Sequence, residues 1–222
     1  MKRCVIIGAA DIGRYDIARG YLRPGDFCIF CDGGLKHREP LGVRPDLIVG
    51  DFDSWDPGSA DAAGDCPEII RLPREKDDTD TFYAAKEAVR RGFDEFTLLG
   101  AAGGRLDHTL GNVSILLFLA GRGKKALMAD DLSEMEIVTA GAPAFIPDSF
   151  PYFSVLNITG TDGEIMIEDS KYLLENGKIT CDFQYGISNE TLPGRTARVT
   201  VSRGELLLVK VFDPPRPADP ER

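Results

Sequence analysis

Short apolar runs recur through the first 130 positions, at 5–7, 27–30, 47–49, 69–72, 96–99 and 126–128, with helical stretches between them. Such alternation predicts βα units and a mainly parallel, doubly wound α/β sheet. Two helices stand out. Residues 80–91 set Phe82, Ala85 and Val89 on one face and stop at Gly92, which suits the position after a helix end. Residues 109–119 are apolar nearly throughout, which predicts a helix packed hard against the sheet.

From about residue 134 the texture changes. Runs at 153–158, 164–167, 179–183, 197–201 and 206–212 are β-rich and broken by Gly, Asn and Asp, and Ser202-Arg203-Gly204-Glu205 reads as a hairpin turn. They predict an antiparallel β-sandwich. The expected organisation is an α/β domain over 1–130, a β-sandwich domain over 131–213 and a loose, proline-rich tail over 214–222.

Charge narrows the partners. A formal net charge of −10 argues against nucleic acid, which demands a basic face, and against an anionic membrane surface. No stretch approaches the ~20 apolar residues of a membrane helix, and the apolar run after Met1 stops at Asp11, too early for a secretory signal. Five cysteines, an odd number, fit a reducing cytoplasmic compartment. Cys28 and Cys31 have C-x-x-C spacing, but on a strand their sulfurs point to opposite faces, so they read as buried thiols. His37 and His108 are the two histidines, and neither has a companion at metal-ligand spacing.

An acidic protein that handles phosphates must bring in positive charge, and its carboxylates are placed to do so. Cys31-Asp32-Gly33-Gly34, Gly50-Asp51-Phe52-Asp53-Ser54, Lys76-Asp77-Asp78-Thr79-Asp80 and Gly100 through Asp107-His108 each end or follow a predicted strand. Ligands of open α/β sheets bind beyond the carboxyl ends of the strands. Extended backbone turns Asp51 and Asp53 the same way and Phe52 to the core, an oxygen pair suited to Mg²⁺. Asp80 opens a helix, where a bound phosphate is also favoured. The glycines of 100–104 let backbone N–H groups approach an anion, and Arg105 adds a forked donor. Neither a Walker sequence nor G-x-G-x-x-G occurs, which counts against a P-loop kinase and a dinucleotide enzyme.

These segments, in this order and together with Tyr185-Gly186-Ile187-Ser188-Asn189-Glu190, resemble the thiamine pyrophosphokinase (thiamine diphosphokinase) family from about Asp32 to Val211. The resemblance implies a Mg²⁺-dependent transfer of diphosphate from ATP to the thiamine hydroxyl, giving thiamine diphosphate and AMP. It also implies a homodimer with active sites between subunits. By position, Asp51, Asp53 and Asp80 are the implied metal ligands, and Asp32, Gly33, Lys76, Thr79 and Arg105 the implied ATP contacts. Asp107, Ser188 and Asn189 would face thiamine, with Asp80 and Asp107 as alternatives for accepting the hydroxyl proton. Family members can stack a partner-subunit aromatic on thiamine; Trp55 lies in the wrong half, which leaves Phe183 or Tyr185. Two rivals are a pyrophosphokinase for another alcohol, such as a hydroxymethylpterin, and a nucleotide-sensing module without catalysis.

Overall fold

The computed structural model describes residues 1–52, 68–75 and 77–212. The chain divides into two compact units, Met1–Asp131 and Leu132–Arg222. In the first, the apolar runs become parallel strands: β1 (Arg3–Ile7), β2 (Phe27–Cys31), β3 (Leu47–Gly50), β4 (Ile69–Arg71), β5 (Glu95–Leu99) and β6 (Lys125–Ala129). They pair in the order β6-β5-β1-β2-β3-β4. The chain steps outward from β1 to β4 and then returns to β5 on the other side of β1. The topological switch point therefore lies between β1 and β5.

Four α-helices are described in this unit: α1 (Tyr15–Gly20), α2 (Arg38–Leu41), α3 (Asp80–Arg90) and α4 (Leu106–Ala120), with a 3₁₀ helix at Asp32–His37. Val5, Ile7, Cys28 and Phe30 share a buried cluster with Ala18 of α1 and Leu41 of α2. Cys31 turns the other way, to a hydrogen bond with Thr81 of α3. The two sulfurs of the C-x-x-C thus face opposite sides, as free buried thiols.

The contact face of α3 keeps Ala85 of the expected stripe, while Phe82 and Val89 are only partly buried. Ala84, Ala85 and Ala88 are fully buried, and the helix packs on β1, β2 and β3. Alanines let the helix axis approach the sheet, where a phenylalanine would hold it off. Phe82 instead meets Phe118 of α4 edge-on, with ring centroids 5.0 Å apart. Glu87 is buried on the same helix because Arg90 and Arg91 bond its carboxylate at 2.6 and 2.7 Å. Helix α4 begins at Leu106, three residues before the predicted start at 109. It buries Ile115, Leu116 and Leu119 and leaves Leu106 and Leu110 exposed.

The second unit is antiparallel. Its strands are β7 (Ser133–Thr139), β8 (Ala144–Pro147), β9 (Tyr152–Leu156), β10 (Gly163–Glu168), β11 (Leu174–Ile179), β12 (Asn189–Glu190), β13 (Thr196–Arg203) and β14 (Glu205–Val211). They pair as β12-β9-β14-β7 and as β11-β10-β13-β8. Phe153, Val155, Leu206 and Leu208 from the first set share one buried cluster with Ile165, Ile167, Val199 and Val201 from the second.

Two expectations fail here. Residues 202–205 do not close a hairpin: β13 and β14 belong to different sheets, and Gly204, at φ +89°, is the corner between them. The strand expected at 179–183 lies earlier, at Leu174–Ile179, and residues 180–183 form a turn closed by a bridge between Thr180 and Phe183. Asn176 sits at φ +50° beside Gly177, where the ladder with β10 shifts register, so a bulge hid this strand from its hydrophobic pattern.

Candidate active site

Three loops leave the carboxyl ends of β1, β2 and β5 and lock together because glycines let backbone meet backbone. A Cβ on Gly8 would lie 2.5 Å from the Gly100 carbonyl oxygen, and one on Gly34 would collide with the carbonyls of Ile7 and Gly8. Gly8 N donates to Leu99 O at 2.8 Å, and Ala10 N to Gly100 O at 2.9 Å.

The acidic residues gather beside this junction. Asp32 opens the 3₁₀ helix at φ +36°, and Gly50 at the end of β3 packs on it so closely that a Cβ would lie 2.9 Å from the Asp32 Cβ. Asp51 follows directly, and Phe52 is buried with the Arg71 guanidinium 5.1 Å from its ring centroid. Phe52 sits at φ +57°, however, and not in the extended backbone expected to turn Asp51 and Asp53 the same way. Asp80 is the first residue of α3; Thr79 caps that helix, its Oγ1 accepting from Phe82 N at 3.2 Å. Burial first, then the charges of Asp80 and Asp32, push the Cys31 thiol well above its ordinary range. Both carboxylates therefore lie close to the end of β2. Oδ1 of Asp32 and Oδ1 of Asp80 are shielded from solvent. Gly33 is exposed, its α-carbon facing Ala9. Asp53 and Lys76 lie outside the described residues. Among the described residues no three His, Cys, Asp or Glu side chains form a metal-holding group.

The loop after β5 reaches the same edge. Gly100, Gly103 and Gly104 take φ of +57°, +99° and +65°. Arg105 forks onto the Asp107 carboxylate, Nη2 to Oδ2 at 2.5 Å and Nε to Oδ1 at 3.2 Å. That contact lowers the Asp107 pKa and raises that of Arg105, and both side chains are exposed.

The sequence does not flag the pins of the β1 loop. His37 is 1% exposed; its Nε2 donates to Ala10 O at 2.9 Å, so Nδ1 accepts the Tyr15 hydroxyl at 2.7 Å. Burial lowers its pKa, which fits a neutral ring in that tautomer. The Asp131 carboxylate accepts from Gly13 N at 2.7 Å and Arg14 N at 2.9 Å. Patterning singled out none of these because each joins residues far apart in the chain.

In the second unit Ser188 is exposed at φ +57°, its N–H donating to Ser154 Oγ at 3.0 Å. Asn189 behaves differently from a residue aimed at solvent. It is 5% exposed, its Oδ1 accepts from Tyr172 N and Glu190 N at 3.1 and 2.8 Å, and its Nδ2 donates to Tyr172 O at 2.7 Å. Its amide is spent on the backbone, so it fixes the loop beside Ser188.

A parallel sheet whose carboxyl edge carries carboxylates, an arginine and glycine turns, followed by an antiparallel β module, defines a class: an α/β protein with an appended β-rich unit. The model of the thiamin pyrophosphokinase catalytic domain matches residues 18–128, half of the chain, and that of the vitamin B1 binding domain matches 144–206. The chain belongs to the thiamine pyrophosphokinase family. It is 26% identical over 215 residues to thiamine pyrophosphokinase of Bacillus subtilis, covering 96% of this chain and all of that one. The crystal structure of the Bacillus subtilis protein superposes with a TM-score of 0.83 at 25% identity, covering 96% of this chain and 100% of that one. That from Geobacillus thermodenitrificans gives 0.80 at 26% identity, covering 95% and 98%.

Proposed function

We propose that this chain forms thiamine diphosphate by moving the diphosphate of ATP onto the thiamine hydroxyl, with Mg²⁺ as cofactor and AMP as co-product. The reading assigns ATP to a doubly wound parallel sheet in the first unit and thiamine to an antiparallel β-sandwich in the second. The observation that carries it is the placing of Asp32, packed against Gly50 just before Asp51, and of Asp80 near the Cys31 thiol at the end of β2. Carboxylates are the donor type that a hard divalent cation takes. The nearby Cys31 thiol is held protonated by burial. Asp51 and Asp80, with Asp53, would hold the metal; when bound, it supplies positive charge against the polyphosphate.

The chain's own residues do the rest. Arg105 leaves Asp107 for the phosphates of ATP, and the glycine turn after β5 allows backbone N–H groups to approach them. Asp32, Gly33, Thr79 and Lys76 complete the nucleotide contacts. Asp107 and Ser188 face thiamine, and Asn189 acts through the loop that it fixes. The hydroxyl attacks the β-phosphorus in line and AMP departs; its proton passes to Asp80 or Asp107. Such transfer depends on alignment and charge neutralisation, and positioning alone is worth about 7–11 kcal/mol in well-aligned systems. We also propose a cytoplasmic homodimer. The exposed side chains of Tyr152, Tyr172, Phe183, Tyr185 and Ile187 support a second copy covering part of the β unit. The B1-binding domain match favours thiamine over a pterin alcohol.

Incubation with ATP, Mg²⁺ and thiamine is expected to yield AMP and thiamine diphosphate together, and neither when thiamine is omitted. Asp80→Asn is expected to lower turnover by roughly two to three orders of magnitude with little change in unfolding midpoint. AMP release that ignores thiamine, or a fully active Asp80→Asn, would overturn the reading.

A further inference from the structure

The turn after β5 is held from beneath by the helix it leads into. Asn112, in the second turn of α4, is 8% exposed, and its Nδ2 donates to Ala101 O at 2.7 Å. Ala101 and Ala102 are themselves 2% and 4% exposed, so that carbonyl has little water to turn to. One turn earlier on the same face, Thr109 Oγ1 accepts from Gly103 N at 3.1 Å and donates to Arg105 O at 3.3 Å. The segment between carries two glycines at positive φ, Gly103 and Gly104, a backbone with little intrinsic preference for one shape. Side-chain bonds from α4 must therefore choose its shape.

We infer that Asn112, seconded by Thr109, is a positioning residue for diphosphate transfer. It sets the turn that presents Arg105 and the loop amides to the polyphosphate. The inference rests on the reading of Arg105 as a phosphate contact. Neither residue touches substrate; each acts on the turn. Asn112 meets the loop before its glycines at 103 and 104, and Thr109 meets it among them and at Arg105. The two grips bracket the flexible part.

Asn112→Leu keeps the volume and removes the donor. It is expected to raise KM for ATP by about five- to twentyfold and lower kcat about tenfold, with KM for thiamine changed by less than about twofold. A merely structural role predicts less active enzyme with both KM values unmoved. In an Arg105→Ala background the same substitution is expected to add less than about twofold, because the group it positions is gone. Should Asn112→Leu fail to fold, Thr109→Val carries the test, with Thr109→Ser restoring ATP affinity to within about twofold of the parent. Unchanged KM for ATP in these variants, or independent multiplicative effects of Asn112→Leu and Arg105→Ala, overturns the inference. The affinity of each variant for an α,β-methylene ATP analogue, whose bridge between the α- and β-phosphorus cannot be cleaved, measured by calorimetry, separates the two readings. A parent that binds the analogue but makes no thiamine diphosphate sinks the function, while the loss of analogue affinity in Asn112→Leu still decides the positioning role.

Discussion

The two units fix their functional loops with a different balance of contacts. At the carboxyl edge of the parallel sheet, main chain meets main chain. Gly8, Gly34, Gly50 and Gly100 sit where a Cβ would strike a neighbouring loop, and Gly8 and Ala10 donate directly to Leu99 and Gly100. In the β unit, buried amide side chains work beside backbone locks such as Val155 N donating to Gly186 O at 2.8 Å. Asn189 bonds both polar groups of Tyr172, and Asn157 bonds the carbonyls of Thr161 and Ile179 at 2.8 Å each. The difference follows from topology. Parallel strands deliver several loops to one edge, where small residues let them touch. The antiparallel strands spread their connections, and a connection without a neighbour needs a side chain to reach one.

The most damaging way to probe this contrast is Gly34→Ala. The new methyl would meet two carbonyls of the β1 loop, which belong to backbone and cannot swing aside. A loss of about 3 kcal/mol or more is expected in denaturant unfolding, together with most of the activity. A stable, active Gly34→Ala would mean that the edge is not locked by backbone contact. Asn189→Leu removes three hydrogen bonds from the other region and should cost about 2 kcal/mol. It should weaken thiamine more than ATP; equal effects on both substrates would break the distinction between the regions.

The smallest effect concerns His37, a side-chain pin on the backbone-locked edge. Its folded pKa is lowered by burial, so below the ordinary histidine value of about 6.5 the unfolded chain takes up a proton that the folded chain refuses. Stability is full above that pH and falls as pH drops toward the lowered folded value. His37→Gln should flatten this slope in chemical denaturation between pH 7 and about 5.5. A slope unchanged by the substitution would remove His37 from the pins.

Most of the first unit was legible from residues alone, because parallel strands buried on both faces are continuous apolar runs such as Val5-Ile6-Ile7 and Leu47-Ile48-Val49. The helix face on α3 was legible only in part: Ala85 of the expected stripe is buried with Ala84 and Ala88, whereas the bulky Phe82 is only partly buried. In the second unit β7, Ser133–Thr139, escaped notice because Glu134 and Glu136 interrupt its pattern, and Lys210 on β14 answers both charges at 2.6 and 3.0 Å. The acidic edge could be anticipated because strand ends carry Asp and Gly together. The supports from His37, Asn112 and Asp131 could not, since their partners are distant backbone atoms that no local pattern encodes.

The corner at Gly204 has a further consequence. A single residue separates a strand of one sheet from a strand of the other, and the carbonyl of Asp162 lies 3.1 Å from where a Cβ would stand. Adding or deleting one amino acid there would turn every side chain of the following strand inside out, since alternate positions face opposite ways. Natural length variation in this half should therefore accumulate in its other connections and spare this joint.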